Sequence, residues 1–196
     1  NASNFANWVF KNSSYYREPV NSEQKKREYE RIKQGVIDHR SIDLFFQHKW
    51  TIDNLERADR SEWELISADK YNYRSSCLTI NNKPMCCRPD VVLKNKISKS
   101  ILIIERKTTS VPQDHVPENG WPNIQAQLWC YSWIDEWYQV PDITLVAQIW
   151  HRTYKPKGGF ALELNKNIGP SWKRSDKKHN KFCHELFEAY GGKFIQ

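Results

Sequence analysis

The chain has 196 residues, 39% of them hydrophobic, and a formal net charge of +7. Nine Trp, nine Tyr and eight Phe supply the bulk for one substantial core, so a single domain over 1–196, with its core at about 22–190, is expected. No apolar run approaches the roughly 18 residues that cross a bilayer, and no secretory signal precedes the first charged segment, so the expectation is a cytoplasmic protein without a membrane partner.

The positive charge favours a polyanionic partner, because Lys and Arg beside phosphates release condensed counterions. Many soluble domains carry such a charge without that role. Five cysteines (Cys77, Cys86, Cys87, Cys130 and Cys183) make an odd set with one adjacent pair and no repeated Cys-x-x-Cys spacing. That pattern argues against a disulfide framework and a zinc site, and leaves reduced, mostly buried thiols as the expectation.

The opening Asn1-Ala2 lacks a Met and is left out of the fold expectation, and the first twenty residues are polar and aromatic without clear period. Asn21-Ser22-Glu23 starts a helix, with Ser22 as cap and Glu23 in the first turn. Tyr29, Ile32, Val36 and Ile37 recur at helical spacing, and Ile42, Leu44, Phe45 and Phe46 continue toward Trp50. One or two helices are expected there, broken between Gln34 and Ser41. From Glu62 the alternation of Trp63, Leu65 and Ser67, then Tyr71, Tyr73 and Leu78–Ile80, reads as extended strand. Asn81-Asn82-Lys83 makes a hairpin turn, since Asn tolerates positive φ. Met85 to Leu93 is the expected returning strand and Ile101 to Thr108 the next, giving three successive antiparallel strands.

Pro112 to Pro122 holds three prolines and a glycine and reads as a loop. Asn123 to Tyr138 reads as a helix with Ile124, Gln127, Leu128, Tyr131 and Ile134 on one face. Ile143 to His151 and Phe160 to Leu164 read as strands around a turn at Lys155-Pro-Lys-Gly-Gly, and Asp176 to Tyr190 as a last helix stopped by Gly191-Gly192.

The stretch from Arg88 to Thr109 carries the chemistry. It places Asp90 after Pro89, two β-branched runs around a polar turn at Asn95–Ser100, and Glu105-Arg-Lys107 where the second run ends. A hairpin centred between Ile97 and Ser98 sets Asp90 opposite Glu105, with Cβ atoms roughly 4.5–5.5 Å apart. Two carboxylates that close repel unless a cation lies between them or one binds a proton. Lys107, two residues on, shares the face of Glu105, with Ile101 and Ile103 on that side and Leu102 and Ile104 on the other. A charged Glu ending a strand that is apolar on both faces needs a partner. The set suits a hard divalent cation such as Mg²⁺, which takes one or two carboxylates plus waters and substrate phosphate. Such a cation polarises a phosphoryl group and lowers the pKa of a bound water, and a nearby Lys neutralises developing charge. The alternative on residue types is an ordinary surface carboxylate–lysine network.

The same stretch resembles the PD-(D/E)xK nuclease superfamily, whose signature is a Pro-Asp, an intervening strand and Glu-x-Lys or Asp-x-Lys. Gly35-Val-Ile-Asp-His39 upstream is similar to the Gly-x-x-x-His helix of the RecB-type branch, which includes relatives of lambda exonuclease; Gln127-Leu-Trp-Cys-Tyr131 downstream is similar to its Gln-x-x-x-Tyr helix. The resemblance covers roughly residues 35–131. It implies an α/β (α+β) fold with a restriction-endonuclease-like core, a central mixed β-sheet flanked by α-helices. It implies Asp90 and Glu105 as metal ligands and catalytic residues, Lys107 as the catalytic lysine, the backbone carbonyl of Arg106 in the metal shell, and His39 completing it, with His48 as the rival histidine. Gln127 and Tyr131 would touch substrate phosphate or brace the site, and Glu64 is a further acidic candidate.

The implied activity is a Mg²⁺- or Mn²⁺-dependent deoxyribonuclease processing DNA ends in repair, recombination or a phage or defence context. A catalytically inactive nucleic-acid-binding module on the same fold and a structure-selective endonuclease are the alternatives, and RNA stays open as substrate. Partners would be DNA, a second copy or a helicase or recombination protein, and a bacterial protein would sit at the nucleoid. Several RecB-type nucleases hold an iron–sulfur cluster on grouped cysteines; the spacing here does not reproduce them, so no such cluster is expected. Lys94, Lys96 and Lys99 in the hairpin turn are expected to be solvated. Lys173, Arg174, Lys177, Lys178 and Lys181 at the last helix could grip phosphates. Trp129 is expected in the core, and Trp121 is open between core and base stacking.

Overall fold

The computed structural model describes residues 1–46, 62–68, 71–154, 160–164 and 170–195. His48, Trp50 and the turn at 155–159 lie outside the described residues. The chain forms α1 (Ala2–Lys11), α2 (Ser22–Phe46), β1 (Trp63–Ala68), β2 (Tyr73–Ile80), β3 (Lys83–Cys87), β4 (Val91–Asn95) and β5 (Ile101–Thr109). Then follow α3 (Pro122–Ser132), β6 (Ile143–Tyr154), β7 (Phe160–Leu164), β8 (Ser171–Lys173), α4 (Lys177–Ala189) and β9 (Gly192–Phe194). This is an α+β arrangement of a mixed sheet flanked by helices.

The main sheet runs β1-β4-β5-β6-β7, with β8 also on β6. The β5–β6 pair is parallel and its other pairs are antiparallel. Alternation along β4, β5 and β6 divides their apolar side chains as expected. Val92, Ile101, Ile103, Leu145 and Ala147 pack with α1, α3 and α4 residues in the large core, while Val91, Leu93, Leu102, Ile104 and Val146 pack on the opposite face. On that second face α2 docks through Ile42 against Trp150.

Several expectations need correction. Residues 2–11 are helical: Asn1 caps α1 by accepting the Asn4 N–H at 2.8 Å, and Ala2, Phe5, Ala6 and Val9 are buried. The repeat i, i+3, i+4, i+7 is there, but two of its members are alanines, which carry little hydrophobic signal. The cap of α2 is Asn21, whose side chain accepts the Gln24 N–H at 2.9 Å, and the helix runs unbroken for 25 residues. Met85 to Leu93 is two strands, not one. β3 belongs to a separate β3-β2-β9 sheet, because Pro89 has no N–H to continue a ladder. Finally, α3 ends at Ser132 and a 3-10 turn at Asp135–Trp137 follows.

The extended stretch from Trp63 to Ile80 is likewise two strands, β1 and β2, in different sheets, while the hairpin turn and the last helix stand as expected. Asn81 and Asn82 take positive φ (50° and 60°) between paired Ile80 and Lys83. Asp176 caps α4, and Gly191 at φ 88° ends it. Among the described residues, no helix is long and apolar enough to cross a membrane. Cys77, Cys87, Cys130 and Cys183 are buried free thiols, and Cys86 is exposed.

Candidate functional site

The β4–β5 register pairs Val91 with Ile104, Val92 with Ile103 and Lys94 with Ile101. One step further the same register sets Asp90 opposite Glu105, as the hairpin reading requires, and Pro89 opposite Arg106. Because Pro89 cannot pair there, the ladder stops and the backbone of Arg106 is left to side chains. Its N–H donates to Asp90 Oδ2 at 2.6 Å. Its carbonyl lies 3.0 Å from His39 Nε2, and that nitrogen is 3.3 Å from Asp90 Oδ2. The Pro-Asp dipeptide thus works in two parts: the Pro ends the strand, and the Asp takes the amide that the Pro releases.

Three lone-pair-bearing atoms therefore meet: His39 Nε2, Asp90 Oδ2 and the Arg106 carbonyl. With no cation, His39 must carry a proton on Nε2 to donate to both oxygens. Its hydrogen bond to Asp90 raises its pKa to about 9, with burial opposing and the charges of Asp90 and Glu105 adding to the rise. Burial pushes Asp90 up, but the His39 hydrogen bond and the charges of His39 and Lys107 outweigh it and leave Asp90 lowered. Glu105, 2% exposed, is pushed up to about 8 by burial and then by the Asp90 charge. One of its oxygens accepts from the Lys107 ammonium, while Oε2 is buried with no hydrogen-bond partner.

These observations fit a divalent cation. Neighbouring ligands of an octahedral Mg²⁺ at roughly 2.1 Å stand about 3 Å apart, the spacing seen around His39 Nε2. A cation there would take the place of the imidazole proton. The buried, unpartnered Oε2 of a carboxylate facing a second carboxylate is a further donor without a charge to meet. Among the described residues, however, no three His, Cys, Asp or Glu side chains are grouped so as to hold a metal ion. The side chains that converge are His39 and Asp90, with the Arg106 carbonyl as third, while Glu105 is engaged by Lys107.

Gln127 and Tyr131 sit one turn apart on α3, both buried. Gln127 Nε2 donates to the Tyr131 hydroxyl at 2.6 Å, which donates to the Arg88 carbonyl at 2.9 Å. Tyr131 is fully buried, so it holds the chain two residues before Asp90 and has no face toward solvent. Burial, then the charges of Glu105 and Asp90, push its phenol well above the ordinary value. Glu64 is not brought to the site. It is exposed and pairs with Lys94, four residues along β4 from Asp90 and therefore roughly 13 Å away. His48 lies outside the described residues.

The sequence reading missed what anchors His39. Its neighbour Asp38 is fully buried, accepts Gln34 Nε2 at 3.0 Å and forms an ion pair with Arg152 at the end of β6. Asp38 stands inside the Gly35–His39 stretch, whose pattern rests on the Gly and the His, and Arg152 follows the expected end of its strand by one residue. Arg174 is structural: its guanidinium donates to the Ser132, Tyr138 and Val140 carbonyls and stacks 5.2 Å from the Trp133 ring. Trp129 is in the core, its indole donating to Asn180 Oδ1 at 3.0 Å, and Trp121 packs partly buried against that core.

The chain matches no family model, and no curated protein is a match. A solved structure described as "Crystal structure of SSO0001" aligns over 96% of this chain and 74% of its own, with 14% identity and a TM-score of 0.35.

Proposed function

We propose that the chain is a divalent-metal-dependent deoxyribonuclease of the PD-(D/E)xK type, with a restriction-endonuclease-like core of the RecB branch, acting on DNA ends. The observation that carries this reading is the convergence of His39 Nε2, Asp90 Oδ2 and the Arg106 carbonyl within 3.3 Å, beside a buried Glu105–Lys107 pair. His39, Asp90 and the Arg106 carbonyl would hold Mg²⁺ or Mn²⁺, with Glu105 joining as its contact to Lys107 loosens. When bound, the cation polarises the phosphoryl group and lowers the pKa of a water.

The remaining work falls to the chain. Asp90 keeps its charge because His39 and Lys107 face it. Lys107 is a third exposed, which lets its ammonium meet a phosphate oxygen and offset the charge that builds there. Tyr131 fixes the Arg88 carbonyl and so the approach of Pro89-Asp90. A packed imidazole–carboxylate pair would need no raised Glu105 beside it; two facing carboxylates have little structural purpose unless positive charge arrives.

The test is incubation of the purified protein with linear and closed circular DNA plus Mg²⁺ or Mn²⁺. Linear DNA should be degraded and circular DNA spared. Lys107→Ala should lose cleavage by roughly 10²-fold or more while still binding DNA. Cleavage at the wild-type rate in that variant rules the assignment out, and attack on both DNA forms rules out end processing.

A further inference from the structure

α2 is 25 residues long, yet it meets the sheet only toward its C-terminal part, through Gly35, Asp38, His39 and Ile42. The preceding turns lie in solvent. Of the exposed apolar residues of α2, Ile37 (46% exposed) stands to one side and the other three line up. Tyr29, Ile32 and Val36 are 68%, 60% and 52% exposed, and with Lys25 before them and His39 after them they step by 4, 3, 4 and 3 along the chain. That spacing places all five on one helix face. The stripe leaves the candidate site at His39 and runs about 21 Å along the helix to Lys25.

We infer that this stripe is where a single strand of DNA lies as it enters or leaves the site, bases stacked on Tyr29 and the aliphatic pair, phosphates against the flanking lysines. The inference rests on the nuclease reading and assigns a surface to it. Charge favours this occupant: Lys25, Lys26, Arg31 and Lys33 stand against Glu28 and Glu30 on the exposed turns, since Arg27 is already paired with Glu23 at 2.5 Å. Geometry favours it over a second copy of the helix. The apolar run spans little more than one heptad, whereas a coiled coil needs three or four, and it ends in a lysine at one side and a polar site at the other. A phenol ring with cations around it is the usual platform for unpaired bases, which stack regardless of sequence.

The experiment uses the full chain in a Lys107→Ala background, so that substrate is not cut. Binding of fluorescent oligothymidylate of about 20 nucleotides is read by anisotropy, beside a duplex of equal length. Tyr29→Ala should weaken single-strand binding roughly tenfold, Tyr29→Phe should restore it, and Tyr29→Ala with Ile32→Ser and Val36→Ser should weaken it further. Duplex affinity should change less than twofold. All three positions are exposed, and an unchanged unfolding midpoint confirms that the fold is kept.

Unchanged single-strand affinity in the triple variant overturns the inference, as does an equal loss for duplex. So does a dimer that becomes a monomer in sedimentation while oligonucleotide binding is kept, which assigns the stripe to a second copy. The nuclease reading fails separately: a wild-type protein that cuts nothing but loses oligonucleotide on Tyr29→Ala sinks only that reading.

Discussion

At the scale of single residues, the weight of the site rests on a buried ion pair beside it. Asp38 is fully buried and Arg152 nearly so, and the pair ties α2 to β6. Removing one partner leaves the other's charge poorly compensated in the core, which costs up to about 3–5 kcal/mol, whereas replacing both with apolar groups of similar size is near neutral. Asp38→Ala should therefore lower the urea midpoint sharply, and Asp38→Leu with Arg152→Met should recover most of the loss. A single variant costing under about 1 kcal/mol would mean that the Ile42–Trp150 packing and the His39 contacts seat the helix without it. A second residue-scale effect concerns His179, 2% exposed and stacked on Trp172 at 5.3 Å. Its Nδ1 accepts from Gln125 Nε2 at 3.0 Å, so the ring proton sits on Nε2, which is buried without a hydrogen-bond partner. Burial pushes its pKa down to about 4, with Asp176 opposing. An unfolded chain takes that proton near 6.5, so below that pH the unfolded state binds more protons. The stability tied to the neutral ring is complete above about 6.5 and lost as pH falls toward 4, by up to about 3 kcal/mol. Wild type should lose this increment relative to His179→Phe in unfolding experiments between those pH values; parallel curves would exclude it.

At the scale of elements, the sequence disclosed what is fixed locally and hid what is fixed at long range. The β4–β5 register was legible because two β-branched runs of matching length flank one polar turn, so Asp90 and Glu105 had only one way to face each other. The Asn81-Asn82 turn, the Asp176 cap and the Gln127–Tyr131 helix were legible for the same local reasons. The split of Met85–Leu93 between two sheets was not, because the run is apolar on both sides of Pro89, while β3 pairs back on β2 and β4 pairs forward on β5 and with the distant β1. Three-residue strands such as β8 and β9 carry too few side chains to show a period. Nor could spacing tell that Tyr29, Ile32 and Val36 face solvent, since a stripe at helical period looks the same whether it meets a core or water. β9 also holds a sharp test. A Cβ built on Gly192 would lie 2.4 Å from the Phe187 ring, and that ring is fully buried between Phe5 and Trp129. Gly192→Ala should cost about 1–3 kcal/mol by overpacking, and pairing it with Phe187→Leu should return part of that. A neutral single substitution would show that β9 does not press on α4 as described.

For the whole molecule, the proposed cation site at the end of β4 and β5 would make folding and cation binding one equilibrium. Without a cation, His39 stays protonated and Glu105, pushed up to about 8, takes a proton or leans on Lys107, so that two buried negative charges do not face each other. A cation that replaced those partners would bind the folded chain and find no such site in the unfolded one. At a concentration 100 times its dissociation constant it would add about 2.7 kcal/mol, which for a chain of this size raises Tm by about 5–11 °C. Thermal unfolding with Mg²⁺ or Mn²⁺ should show that rise, and a chelator should reverse it. Asp90→Asn should abolish it. Lys107→Ala should keep or enlarge it, because the ammonium competes with the cation for Glu105; this separates binding from catalysis, since the same variant should no longer cut. A Tm indifferent to divalent cations in the wild type would show that the convergence at His39 is a packed imidazole–carboxylate contact, and the proposed chemistry would fall with it.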